Sequence, residues 1–178
     1  MHGGAVASTC CGAIGGLASA AKLSVIGITS SITGDLSIID EICKSHKGPV
    51  IVNMSFSLEF KNVTESDMEE TKKSMRLLTD AFTTIKKKHP QLVFVVAAGN
   101  ESLDVCDTKL PVSFSGCTNC YMWPQARLGA AYSWKDVPFI FVGATDAEAI
   151  GGDGKRQLAS FSNYGKCVHA YTHGTPVC

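Results

Sequence analysis

Four short apolar runs along the chain predict the strands of a sheet. They cover residues 22–28, 50–54, 92–98 and 139–144, and each is rich in β-branched or aromatic side chains. Nearly continuous apolar runs of this length are typical of strands that are covered on both faces, as in a parallel sheet. We therefore expect a sheet that contains these four strands.

Helical patterns alternate with the apolar runs. In residues 66–88 apolar side chains recur at helical spacing after a capping-box sequence. A shorter helix is predicted to open at Asp35 or Ser37 and to end before Gly48. Strands that alternate with helices imply right-handed crossovers, so the pattern predicts a three-layer α/β/α fold with a mainly parallel sheet.

Residues 102–137 interrupt this alternation. The segment contains Gly, Pro, Ser and three cysteines, and it has no sustained period. Such a segment predicts a long loop region of the kind that shapes a binding cleft. Because 178 residues with 45% hydrophobic residues can bury one sizeable core, we expect one domain over residues 1–178.

Charge and hydropathy narrow the choice of partners. Sixteen basic residues balance sixteen acidic ones, which removes a charge argument for nucleic acid or an anionic membrane surface. No stretch has the length and apolarity needed to span a bilayer. The first residues lack the regions of a signal peptide, so either the protein is not secreted or its true beginning is absent.

The cysteines favour the second alternative. The chain has eight, which lie mostly in or beside predicted loops: Cys10, Cys11, Cys43, Cys106, Cys117, Cys120, Cys167 and Cys178. This distribution suits disulfides in a secreted or lumenal protein, although the pairing stays open. Cys117 and Cys120 have the spacing of half a zinc site, but no second such pair follows. A loop disulfide or two free thiols are therefore favoured over a metal.

Function must be sought in sites, because a sheet of this kind hosts many chemistries. A dinucleotide-binding enzyme would need Gly-x-Gly-x-x-Gly between a strand and a helix. The glycines at 12–16 have the wrong spacing and precede the first predicted strand. Those at 151–154 follow a strand but lead into a polar turn. Neither cluster supports a nucleotide site.

Four other blocks agree in order and spacing with one enzyme family. Residues 2–9, 52–56, 97–101 and 159–165 read His-Gly-Gly-Ala-Val-Ala-Ser-Thr, Val-Asn-Met-Ser-Phe, Ala-Ala-Gly-Asn-Glu and Ala-Ser-Phe-Ser-Asn-Tyr-Gly. Together they resemble the corresponding blocks of subtilisin-like serine peptidases, the subtilases. The resemblance runs from His2 to about Gly174, which is nearly the whole chain.

The resemblance implies a role for each block. His2 would be the catalytic base and Asn100 the side chain that binds the oxyanion of the tetrahedral intermediate. Two further segments would bind the substrate peptide as an added strand or line its pocket: Ser55, Phe56 and Ser57, and Ala97, Ala98 and Gly99.

The chain also departs from the family pattern. Gly4 and Ala5 stand where the family has Thr-His, and Ser8 replaces a glycine. Gly-Thr-Pro at residues 174–176 superficially resembles the nucleophile block, with Pro176 in place of serine. It lies too soon after the preceding hairpin, however, so we expect the serine beyond Cys178 and the aspartate before Met1.

The sequence thus predicts the central part of a subtilisin-like serine endopeptidase, incomplete at both ends. By the family mechanism these 178 residues alone should hydrolyse nothing. The alternative is a non-catalytic subtilase-like domain, or a truncated copy, that binds peptides without cleaving them. The resemblance implies a protein or peptide partner and no cofactor for catalysis. Calcium often accompanies the family, but no ligand cluster identifies a site in this sequence.

Overall fold

The computed structural model describes residues 2–13, 16–27, 32–55, 58–60, 68–105, 120–122, 139–152 and 154–174. These residues belong to two compact units, Met1–Ile39 and Asp40–Cys178. The single domain expected over residues 1–178 remains a prediction.

The first unit contains helix α1 (His2–Cys11) and the beginning of helix α2 (Ile32–Ser45). Helix α1 begins at His2, which is where the resemblance places the histidine. Cys10 and Cys11 form a disulfide at its end. Helix α2 begins earlier than predicted, and Asp35 lies in its first turn, where a negative charge favours the helix dipole.

The strand predicted at residues 22–28 is wrong for the described residues 22–27. Their backbone forms no strand, and the side chain of Val25 is 82% exposed. An apolar run becomes a strand only where a neighbouring strand pairs its N–H and C=O groups. In the described part of the first unit no strand is present to do so.

The second unit contains the sheet and the longest helix. Its elements are the end of α2, β1 (Val50–Met54), β2 (Leu58–Phe60), α3 (Met68–Lys88), β3 (Leu92–Ala97), β4 (Cys120–Met122), β5 (Phe139–Ile150), β6 (Arg156–Leu158) and β7 (Ala170–His173). The main sheet has the order β1-β3-β5-β6, and β7 also pairs with β5. β1 with β3, β3 with β5, and β5 with β7 are parallel, whereas β6 is antiparallel to β5. The predicted α/β fold with a mainly parallel sheet is confirmed.

Most predicted elements of this unit match the structure. β1 has the predicted bounds, β3 is one residue shorter, and α3 fills residues 68–88 of its predicted range. β5 continues to Ile150, because β6 folds back and pairs with its second half. The loop predicted over residues 102–137 lies largely outside the described residues. It includes strand β4, which pairs with β2.

The core of the second unit lies between α3 and the sheet. The Phe82 ring of α3 meets Phe94 edge-on at 5.0 Å and Phe139 at 4.9 Å between ring centroids. Each aromatic pair of this geometry adds about 0.5–1.5 kcal/mol beyond burial itself. On β1, by contrast, Ile51 is 69% exposed, so the expected cover on both faces is absent there among the described residues. A second helical layer remains a prediction, since α1 belongs to the other unit.

The predicted disulfides are present in part. In the second unit Cys167 is disulfide-bonded, whereas Cys43 is buried with a free thiol. Burial raises the pKa of the Cys43 thiol, which keeps it protonated and unreactive at neutral pH. The side chains of Cys117 and Cys120, and with them the zinc alternative, lie outside the described part of the structure.

A cluster of charges joins the ends of α2 and α3. The Asp40 carboxylate lies 2.6 Å from the Lys44 ammonium, 2.7 Å from that of Lys88 and 2.6 Å from Nε2 of His89. Hydrogen bonds from Lys44, then from Lys88 and His89, hold the pKa of Asp40 well below its usual range. Asp40 therefore stays ionised in the folded protein under conditions that protonate it in the unfolded chain.

Asp40→Asn is expected to lower Tm at pH 7, and the difference from wild type should narrow in acid. Above the unfolded-state pKa of about 4, the ionised Asp40 stabilises the fold, because its pKa is lower in the folded protein than in the unfolded chain. This stabilisation is lost as the pH falls toward the pKa of Asp40 in the folded protein. Thermal unfolding between pH 7 and pH 2 measures the difference. Glu41→Gln, on the same helix but exposed, is the control and should change little. A Tm difference that is constant with pH contradicts the role given to Asp40.

Candidate active site

The turn after β3 carries Asn100. β3 lies inside the sheet between β1 and β5, with Met54 opposite Val96 and Ala97 opposite Val142. Just beyond the strand, the buried Ala98 donates its N–H to the Val142 carbonyl at 2.9 Å. The turn therefore begins from a backbone that is paired on both sides, which limits its freedom.

Gly99 gives the turn its direction. Its φ of 108° lies in a region that side chains rarely adopt. A Cβ at this position would also collide with the side-chain amide of Asn163 and the carboxylate of Glu101. The glycine of the Ala-Ala-Gly-Asn-Glu block is therefore required by the backbone and by its close neighbours.

The side chain of Asn100 is exposed at the surface of this turn. It makes no hydrogen bond within the part of the chain that the structure describes. Its amide donors are thus not used to hold the turn together. A side chain that binds a developing oxyanion needs such a free donor on a rigid support.

A buried asparagine from another part of the chain holds the turn. Asn163, which is 1% exposed, accepts hydrogen bonds at Oδ1 from the N–H groups of Glu101 and Leu103, both at 3.0 Å. Its Nδ2 donates to the Ala98 carbonyl at 2.9 Å and to the Glu101 carboxylate at 2.7 Å. Its own N–H donates to the Gly99 carbonyl at 3.1 Å.

Backbone contacts extend this attachment past the turn. Ser102, with a φ of 55°, donates its N–H to the Phe161 carbonyl at 3.0 Å and its hydroxyl to the Ser160 carbonyl. The Leu103 carbonyl accepts the N–H of Tyr164 at 2.9 Å. The segment that carries Asn100 and the segment that follows β6 therefore support each other along their length.

The segment after β6 is in turn fastened to β5. Ser162, which is buried, accepts the N–H of Ala144 at 2.8 Å and donates to the Asn163 carbonyl at 2.9 Å. Further along, Phe141 exchanges two hydrogen bonds with His169, one of them to Nδ1 at 3.0 Å. His169 is thus bound to the sheet, and its ring stacks on that of Phe141.

Tyr171 on β7 packs close to the same part of β5. A Cβ at Gly143 would meet its ring, so the pair requires glycine there. Burial raises the pKa of Tyr171, although a hydrogen bond with the Gly165 backbone opposes the shift. The phenol is therefore neutral at physiological pH.

The other predicted site residues are only partly visible. His2 begins α1, but its side chain lies outside the described part of the structure, and its helix belongs to the other unit. Ser55 follows β1, and its hydroxyl accepts a hydrogen bond from the Asn53 amide at 2.9 Å. Phe56 and Ser57 lie outside the described residues. The catalytic role of His2 and the substrate-binding role of Ser55 remain predictions.

The backbone of Ala97–Gly99 is largely occupied within the fold. The N–H and C=O groups of Ala98 and the C=O of Gly99 bond to Val142 and Asn163. The Ala98 N–H is therefore not available to a peptide added as a strand, whereas each of the two carbonyl oxygens keeps a second acceptor position. A substrate contact by this segment would have to use its remaining surface, and that role stays a prediction.

Sequence reasoning gave no role to Asn163 or Glu101. The block that contains Asn163 was recognised, but the turn it contacts is 62 positions away at Glu101. An asparagine near a hairpin is an ordinary turn residue by local criteria. The sequence signal for this contact is that the blocks at 97–101 and 159–165 occur in the same chain.

Gly99→Ala is expected to destabilise the protein by about 1–3 kcal/mol, the usual cost of holding a side chain at a disfavoured backbone angle. The new methyl group must also displace Asn163 or Glu101. Denaturant unfolding measures the change. Gly48→Ala is the matched control, because a Cβ there meets nothing within 4 Å. Equal stability of both variants would contradict the close packing described for Gly99.

No metal site or membrane span is found in what the structure describes. Among those residues no group of three or more His, Cys, Asp or Glu side chains could hold a metal ion. Their helices include none that is long and apolar enough to cross a membrane. Calcium binding therefore stays a prediction without a site.

Comparison with protein families gives a match over nearly the whole chain. The model of the subtilase family, Peptidase_S8, matches residues 1–175. No curated protein sequence matches the chain.

Solved structures that are similar in part include two bacterial enzymes. The nisin leader peptidase NisP from Lactococcus lactis is 19% identical, with a TM-score of 0.39 over 78% of this chain and 35% of that chain. The epidermin leader peptide processing serine protease EpiP from Staphylococcus aureus is 22% identical, with a TM-score of 0.46 over 82% of this chain and 32% of that chain. The present chain thus spans about a third of the length of either structure.

Proposed function

Since the chain belongs to the subtilase family of serine peptidases, we propose that it contributes His2 and Asn100 to an endopeptidase that hydrolyses peptide bonds in proteins. No residue of the chain is assigned to the nucleophilic serine or to the carboxylate that orients the histidine. The proposal therefore requires both groups from sequence that flanks these 178 residues in the native polypeptide.

His2 would transfer the protons of the reaction. A serine hydroxyl is a poor nucleophile until a neutral imidazole takes its proton, and the same imidazole then protonates the leaving amine. His2 is a residue of helix α1, and the match of the subtilase family model over residues 1–175 supports this assignment.

Asn100 would stabilise the tetrahedral intermediate. Attack on the peptide carbonyl places a negative charge on its oxygen, and a donor that is already oriented lowers the barrier most. The observation that carries the proposal is the exposed Asn100 amide, which the described fold leaves unused, on a turn held by the buried Asn163.

An extended protein or peptide is the proposed substrate. Among the described residues, β1 pairs with a strand on one side only, and Ser55 follows its end. An extended peptide can add to such an open edge through backbone hydrogen bonds. The disulfides at Cys10–Cys11 and at Cys167 support a secreted or lumenal site of action.

The test is made on the native polypeptide that carries this chain. Its intact mass and terminal peptides give the flanking sequence, and a fluorophosphonate probe then reports an activated serine. We expect the probe to label one serine outside residues 1–178 and the protein to hydrolyse casein.

The alternative function predicts a different result. A non-catalytic subtilase-like domain would bind to an extended peptide that is immobilised on an affinity column. It would neither react with the fluorophosphonate probe nor hydrolyse casein. Pro176, which would replace the serine in such a domain, lies outside the described residues. Absence of both labelling and hydrolysis in the folded native protein rejects the endopeptidase.

A further inference from the structure

We propose that Asn163 is a positioning residue, whose side-chain amide sets the direction in which Asn100 points. The inference rests on the proposed oxyanion role of Asn100. It deepens that role by naming the group that makes the donor rigid.

The Asn163 side chain uses its full hydrogen-bonding capacity on one turn. A primary amide has two N–H donors and two acceptor positions on its oxygen. Asn163 donates to Ala98 and Glu101 and accepts from Glu101 and Leu103. These contacts lie on both sides of Asn100, so the backbone is held immediately before and after it.

Only asparagine satisfies all of these partners. Nδ2 faces two acceptors, the Ala98 carbonyl and the Glu101 carboxylate, whereas Oδ1 faces two backbone N–H donors. Aspartate has the same shape but would place an oxygen against both acceptors. Glutamine adds a methylene group, for which a side chain that is 1% exposed has no room.

Asn163 is itself rigidly placed. Its carbonyl accepts the Ser162 hydroxyl, and Ser162 accepts the N–H of Ala144 on β5. The N–H of Tyr164 donates to the Leu103 carbonyl at 2.9 Å. Through these hydrogen bonds Asn163 holds the turn in a fixed position relative to the sheet. The side chain of Asn100 itself remains free to contact a ligand.

Loss of this support should affect turnover more than substrate binding. The oxyanion exists only during the reaction, so a misdirected donor raises the barrier without weakening the bound substrate. A displacement of about 1 Å in a catalytic group can cost about 100-fold in rate. For Asn163→Asp we expect kcat to fall about 10- to 100-fold, with KM changed less than about threefold.

The experiment is a double-mutant cycle in the native polypeptide. It compares wild type, Asn163→Asp, Asn100→Ala and the double variant by kcat and KM on a peptide substrate. Because Asn163 acts through Asn100, adding Asn163→Asp to Asn100→Ala should lower kcat by less than about threefold further. A full additional loss would show an independent effect and overturn the proposal.

Phe82→Leu is the control for general loosening of the fold. Phe82 is buried, and its ring packs on Phe94 and Phe139 near the starts of β3 and β5, whereas the turn follows the end of β3. We expect this variant to lower Tm and leave kcat within about threefold of wild type. If it lowers kcat as much as Asn163→Asp does, general loosening of the fold is the cause, and the proposal fails.

A rescue variant tests the chemistry of the contact. In Asn163→Asp two carboxylates face each other, and Glu101→Gln replaces one of them with an amide that can donate. The combination should recover part of the lost kcat. If Asn163→Asp and the double variant both fold but the double variant recovers no kcat, the proposed hydrogen bond from the Asn163 amide to Glu101 is contradicted.

Hydrogen exchange separates this inference from the proposed function. The N–H groups of Glu101 and Leu103 should exchange faster in Asn163→Asp than in wild type. If Asn100→Ala lowers kcat while Asn163→Asp changes neither kcat nor exchange, the inference alone is rejected. If wild type does not hydrolyse peptides, the proposed function is rejected, and the positioning role for catalysis is rejected with it.

Discussion

Replacing His2 with alanine is expected to abolish peptide hydrolysis by the native polypeptide that carries this chain. Without the imidazole no group takes the proton of the serine hydroxyl, and none protonates the leaving amine. In subtilisin itself loss of the histidine costs about 10⁶-fold in kcat, and a fall of this order is expected here. Turnover of a chromogenic peptide and labelling by a fluorophosphonate measure the loss.

His173→Ala is the control for this prediction. His173 is exposed on β7, and the proposed function gives it no role. The control should retain full turnover, and His2→Ala should retain the Tm of wild type. If His2→Ala keeps more than about a hundredth of wild-type kcat, His2 is not the base, since loss of general-base catalysis alone costs more.

Asn100→Ala is expected to lower kcat about 100- to 1000-fold, the magnitude known for the corresponding donor in subtilisin itself. KM should change little, because the donor acts on the oxygen only when its negative charge develops. The Asn100 side chain makes no hydrogen bond in the described part of the chain, so the substitution should also leave Tm close to that of wild type. Steady-state kinetics and thermal unfolding measure the two effects.

Asn100→Asp separates the catalytic role from a purely structural one. Aspartate is tolerated in turns about as well as asparagine, so a turn residue would accept the change. An oxyanion donor would not, because a carboxylate repels the developing negative charge. We expect kcat of Asn100→Asp to be at most that of Asn100→Ala. A near-wild-type kcat for the aspartate variant rejects Asn100 as the donor.

Much of the second unit could be predicted, because its signals are local. The apolar runs at 50–54 and 92–98 and the helical period in 66–88 match β1, β3 and α3 within one or two residues. These patterns reflect which side chains must be buried, and each can be read from a short window. The turn at Gly99 could also be predicted from the sequence, because its block combines a strand end, a glycine and an asparagine.

Predictions failed where a distant partner decides the outcome. Residues 22–27 have the composition of a strand, but the described structure offers them no strand to pair with. β5 is longer than its apolar run, because β6 supplies hydrogen bonds to its polar second half.

The family, most of the alternation of strands and helices, and the residues expected to perform chemistry can all be read from the sequence. Tertiary structure alone decided that Asn163 and Glu101 complete the turn around Asn100, because hydrogen bonds between segments 62 positions apart leave no periodic trace in either segment. A side chain's chemical type can be read from its letter, whereas its partners depend on how the sheet brings separate loops together. The free donor of Asn100 and the saturated amide of Asn163 are the same functional group, and their different surroundings give them different roles.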